Sequence, residues 1–136
     1  MKPYNCTELI TLKTQRQQTG RTGEEEACIY LQRLGHTILD RNWRASHLET
    51  DIVSLDRAGL HFVEVKTRRA PVAADPAVNV DRRKMQRMVQ AAQRYLHDPQ
   101  RKLPDVEVFF DVITVILDGD GITLEYYPQA FIPTYV

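Results

Sequence analysis

The sequence is short of several things, and each shortage removes a class of protein. It has only two cysteines, Cys6 and Cys28, in 136 residues. They have no metal-ligand spacing, and they are too few for a disulfide scaffold. Cys28 falls in an apolar helical pattern and reads as a small buried residue, whereas Cys6 falls in a polar tail. No apolar run is long enough to span a bilayer, and nothing near the N-terminus has the pattern of a secretion signal. A cytoplasmic protein with no membrane partner is therefore expected. Net charge is also missing, because 18 basic and 18 acidic residues cancel. No global field draws in a polyanion, so any nucleic acid must be held by a local basic patch. There is no internal repeat and no low-complexity segment.

What remains is an ordinary globular composition, 43% hydrophobic and 26% charged. A chain of this length fits one domain and can bury a core without disulfides. Residues 1–21 are polar and aperiodic and read as a mobile N-terminal extension, leaving 22–136 as the domain. A helix is expected from Thr22 to Leu34, where Ala27, Tyr30, Leu31 and Leu34 recur at helical spacing. Thr22 and Glu25 can cap its start, and Gly35 ends it. Strands follow at Thr37–Arg44, Glu49–Leu55 and Leu60–Thr67, the last two joined by the turn Asp56–Gly59. A loop with Pro71 and Pro76 leads to a second helix, Asn79–His97. Its apolar stripe is Val80, Met85, Met88, Val89, Ala92, Tyr95 and Leu96. Strands at Val106–Leu117 and Ile122–Tyr127 flank the turn Asp118–Gly121. The end, "PQAFIPTYV", reads as irregular but docked through Phe131 and Ile132. The second helix is long enough for a crossover, so the strands on either side of it can run parallel. The fold class is α/β: a mixed central sheet flanked by helices.

One strand poses a chemical question. In "HFVEVKTR", alternation puts Phe62, Glu64 and Lys66 on one face and His61, Val63, Val65 and Thr67 on the other. Apolar residues on both faces suggest a central strand, where an unpaired Glu is costly. A symmetric hairpin about the turn pairs Leu55 with Leu60 and Val53 with Phe62. Continued outward, it sets Asp51 against Glu64 and Glu49 against Lys66. Like charges opposite one another destabilise a ladder unless a cation lies between them. Two converging carboxylates suit a hard divalent ion such as Mg2+. With Lys66 beside them, they could support metal-assisted phosphodiester hydrolysis. The alternative is that Asp51 and Glu64 splay into water and Glu49–Lys66 is an ordinary cross-strand pair.

The pieces "GRTGEEEACIYLQRLGH", "RNWR", "ETDIV", "FVEVKTR", "AVNVDRRKMQRMVQAAQRYL" and "FFDVITV" occur in that order. Together they resemble the YraN-like uncharacterised protein family. That family belongs among the PD-(D/E)xK nucleases and is related to archaeal Holliday-junction resolvases. The resemblance implies a restriction-endonuclease-like αβββαβ core. It implies a metal-dependent nuclease acting on DNA, with branched DNA as a candidate substrate and Mg2+ or Mn2+ as cofactor. Asp51, Glu64 and Lys66 match the catalytic positions. Glu24 matches the helix carboxylate that completes a metal site with Asp51 and Glu64; by itself it is one of three consecutive acids that could simply favour the helix dipole. The chain departs from the family pattern at "LETDIV", where Leu48 stands in place of a glycine and could narrow the approach to the site. Resolvase relatives are dimers, which leaves room for a homodimer here.

A local basic patch is also expected. Arg83 and Arg87 share a stripe of the second helix with Arg94, and Lys84 and Arg68 lie nearby. Such a patch would hold phosphates without reading sequence, with DNA as the expected partner and RNA left open. Lys84 matches a family lysine and is the favoured backbone contact. The competing class is a catalytically inactive nuclease-fold module that binds nucleic acid or a protein. Trp43 could stack on a base but fits a core better. Asp111 reads as a structural hydrogen-bonding residue. His36, His47, His61 and His97 show no ligand spacing.

Overall fold

Seven elements follow one another in this computed structural model, which describes residues 12–71, 80–119 and 121–133, with the side chains of 12–18 and 21 outside the description. They are α1 (Leu12–Arg33), β1 (Thr37–Ala45), β2 (Leu48–Leu55), β3 (Gly59–Arg69), α2 (Arg82–Leu96), β4 (Glu107–Asp118) and β5 (Gly121–Phe131). The strands form one five-stranded sheet in the order β1-β2-β3-β4-β5. The pairs are antiparallel except β3 with β4, which α2 joins as a parallel crossover. This is the expected αβββαβ core of a restriction-endonuclease-like fold, with β5 added at the edge.

The core has two layers because β3 and β4 are covered on both faces. Against α1, Ala27, Cys28 and Leu31 meet Ile52, Val63, Ile113 and Val115. Against α2, Met88, Val89, Ala92 and Tyr95 meet Val53, Leu60, Phe62 and Phe110. Asp40 on β1 ties the α2 layer down, accepting bonds from Tyr95 Oη at 2.7 Å and Arg101 Nη1 at 2.8 Å. Trp43 packs edge-on against Tyr95, so it belongs to this layer.

Three boundaries differ from the sequence expectation by more than two residues. Helix α1 begins at Leu12, so Thr22 lies inside it and caps nothing. The polar residues ahead of Thr22 carry no apolar stripe by which a helix could be recognised. Residues 1–11 of the expected extension lie outside the described structure, as does Pro76. Helix α2 begins later than expected, after Asp81, whose carboxylate accepts the Lys84 amide at 2.8 Å. Strand β5 continues to Phe131 instead of ending at Tyr127. Pro128 is tolerated there because β5 is an edge strand.

Gly23 sets how closely α1 approaches β3. A Cβ at this position would lie 1.9 Å from Thr67 Oγ1 and 2.9 Å from Thr67 Cβ. Gly20, one turn earlier, has nothing within 4 Å. The two glycines therefore make opposite predictions. Gly20→Ala should stabilise the protein by about 0.5–1 kcal/mol through helix propensity. Gly23→Ala should cost about 1–3 kcal/mol through overpacking, and Thr67→Ala in the same chain should restore part of that loss. Urea unfolding of these three variants beside wild type checks the signs.

Candidate active site

Asp51, Glu64 and Lys66 lie where β2 and β3 part. The ladder runs from Leu55–Leu60 through Val53–Phe62 to Ile52–Val63 and there it ends. The expected Asp51–Glu64 and Glu49–Lys66 pairs are not made. Instead the Val65 amide donates to Asp51 Oδ2 at 2.9 Å, so a side chain takes the place of the next backbone rung. Glu49 turns to the other neighbour and pairs with Arg44 at 3.4 Å. Continuing the hairpin register failed because it assumed that pairing would persist past a residue able to accept an amide itself.

This geometry concentrates negative charge. Asp51 and Glu64 fall on the α2 side of their strands. The Asp51 carboxyl is pushed up to about 7, first by burial, then by the Glu64 charge and more weakly by Glu24 on α1. The Val65 amide and Lys84 pull the other way without offsetting that rise. Lys84, at the start of α2, reaches Glu64 Oε2 at 3.0 Å. The favoured phosphate contact is therefore held against one of the acids. Lys66 lies half-buried on the same face of β3 as Glu64. Glu24 is placed by the close contact of Gly23 with Thr67, while its neighbour Glu25 bonds Arg41 at 3.0 Å. Arg83 and Arg87 are exposed on α2, away from its buried stripe. Arg68 is also exposed, its guanidinium donating to the Thr67 carbonyl at 2.8 Å. Leu48 is buried and, by alternation, points to the opposite face of β2 from Asp51. It does not narrow the approach to that carboxylate.

A second cluster went unseen in the sequence. Among the described residues, the group of three metal-type donors whose atoms all lie within 4.8 Å of one another is His36, Asp56 and His61. Linear spacing gives no hint of it. The strand registers do: Thr37 pairs with Leu55 and Leu55 with Leu60, which brings the residues flanking those rungs together. Gly35, at φ 103°, ends α1 and turns the chain so that His36 enters this corner. Asp111 is fully buried and accepts bonds from His61 Nδ1, Tyr126 Oη and the Gln129 amide. Its expected structural role fits these contacts. Burial, then His61, pushes the His36 imidazole below its ordinary value. Burial would do the same to His61, but bonds to Asp111 and Asp56 outweigh it and raise that imidazole.

An αβββαβ core with an acid on β2 and an E-x-K strand beside it defines a protein of the PD-(D/E)xK nuclease-like class. The chain belongs to the Uncharacterised protein family UPF0102, whose model matches residues 23–115. A UPF0102 protein of Bacteroides thetaiotaomicron is 40% identical over 116 residues, covering 85% of this chain and 93% of the relative. One from Syntrophotalea carbinolica is 44% identical over 117 residues, covering 86% and 94%. No helix among the described residues is long and apolar enough to cross a membrane.

The raised Asp51 carboxyl has a definite sign in stability. Below its ordinary value of 3.8, folded and unfolded chains are both protonated and nothing is lost. Between there and about 7 the unfolded chain ionises first, so stability falls as pH rises. Above about 7 the full penalty applies, on the order of a few kcal/mol. Asp51→Asn keeps an acceptor for the Val65 amide and removes the charge. In EDTA it should melt higher than wild type at pH 8 and match it near pH 4. Thermal melts across that range test the prediction.

Proposed function

We propose that this protein is a Mg2+-dependent endonuclease, with Mn2+ as a substitute, that hydrolyses phosphodiester bonds in DNA. The observation that carries the reading is the half-buried Asp51 carboxylate, raised first by burial and then by the Glu64 charge beside it. All-oxygen donors of this kind suit a hard divalent cation. Asp51 and Glu64 would hold it, with Glu24 completing the set from α1. When bound, such an ion polarises a phosphate and lowers the pKa of an attacking water. Lys66 is assigned to the attacking water and to the charge that develops on the phosphoryl oxygens. Arg68, Arg83 and Arg87 would bind backbone phosphates, which gives affinity without sequence preference. Lys84 neutralises Glu64 in the metal-free protein and is positioned to move to a phosphate once a cation takes its place.

The Lys84–Glu64 pair also favours a second reading, a binding module in which lysine permanently replaces the metal. Cleavage of linear, nicked and four-way-junction DNA in Mg2+ or Mn2+ separates the two. The enzyme reading predicts cleavage that EDTA abolishes. Asp51→Ala and Lys66→Ala should each lower the rate on the order of 100-fold or more. Binding of junction DNA without cleavage by wild type in either metal would favour the module. The branched substrate rests on analogy with resolvases, so preference for the junction over the linear duplex is tested in the same assay.

A further inference from the structure

The geometry points to a second metal site, independent of the first: His36, His61 and Asp56 form a three-ligand centre for a borderline divalent ion of the Zn2+ class. It lies at the start of β3, whereas Glu64 and Lys66 lie further along that strand. By alternation His61 points to the α1 face and Glu64 to the α2 face. His36 Nε2 lies 3.3 Å from Asp56 Oδ2, and His61 Nε2 lies 2.8 Å from Asp56 Oδ1. Ligand bonds of about 2.0–2.1 Å in tetrahedral geometry set donors roughly 3.3 Å apart. Only a small opening of the corner would admit the ion. Both imidazoles are buried, with ring centroids 4.6 Å apart.

The far nitrogens are held as well. His61 Nδ1 bonds Asp111 Oδ2 at 2.6 Å, and His36 Nδ1 bonds Ser54 Oγ at 2.9 Å. A carboxylate or hydroxyl behind each imidazole is the arrangement that fixes the tautomer and aims Nε2 at a metal. Asp111 cannot swing away, because Tyr126 Oη and the Gln129 amide also bind it. Asp56 is set by its turn, its Oδ1 accepting the Ala58 and Gly59 amides. Two imidazoles and one carboxylate suit Zn2+ and its neighbours better than Mg2+, which prefers oxygen. Three protein ligands leave a fourth position, and a cleft of about 480 Å³ opens beside them, lined also by Phe109 and Pro128. Water or a small anion would complete the centre from that cleft.

The test uses the untagged full chain, stripped with EDTA and titrated with ZnCl2 by calorimetry. With excess Mg2+ present throughout to occupy the Asp51–Glu64 site, one Zn2+ ion should bind. His36→Gln and His61→Gln should each abolish binding, and Ser54→Ala should weaken it about 10–100-fold. A folded His36→Gln/His61→Gln chain that binds Zn2+ like wild type would overturn the assignment, as would absence of binding by wild type. If the histidine variants do not fold, long-range 1H–15N spectra of wild type decide. Zn2+ should move the Nε2 signals of both His36 and His61, and unmoved signals would overturn the assignment.

Discussion

The bond from the Val65 amide to Asp51 is the point on which the candidate-site end of the molecule depends. It ends the pairing of β2 with β3 at Ile52–Val63. It also holds a carboxylate half-buried beside another acid, where ionisation is costly. Strands β3 and β4 stay paired in parallel from Gly59–Glu107 to Arg69–Leu117, so the split does not propagate across the sheet. The result is a local opening in an otherwise continuous structure, with Glu64 and Lys66 beyond the last rung.

Both helices converge on that opening for separate reasons. Helix α1 approaches because Gly23 has no side chain to hold it off Thr67, which brings Glu24 into electrostatic range of Asp51. Helix α2 is anchored by Tyr95 and its apolar stripe, and its capped start delivers Lys84 to Glu64. The second cluster is organised differently. There the acids are met by imidazoles, His61 bonding both Asp56 and Asp111. At Asp51 the bond comes from a backbone amide.

Much of the fold was legible from residue pattern. Runs of β-forming residues between turns located the strands, and apolar stripes at helical spacing located α1 and α2. The hairpin was read correctly near its turn, where Leu55–Leu60 and Val53–Phe62 pair as expected. Further out the prediction failed, because ladder reasoning does not foresee a side chain displacing a rung. The start of α1 is invisible because its first turns carry no apolar face, and β5 runs past Pro128 because an edge strand tolerates the missing amide. Glu24 could be chosen over Glu25 only through the family resemblance. His36 and His61 were passed over because their proximity is a property of two strand registers and not of their spacing in the chain.

On the proposed reading, its surroundings hold the Asp51 carboxyl above the usual carboxylate range until a divalent cation relieves it. Carbon-13 NMR of the side-chain carboxyls, titrated in EDTA and again in excess Mg2+, measures this directly. The Asp51 midpoint should lie at about 7 in EDTA and fall by about one unit or more when Mg2+ is present. A midpoint near the ordinary 3.8 in EDTA, or one that Mg2+ leaves unmoved, would contradict it.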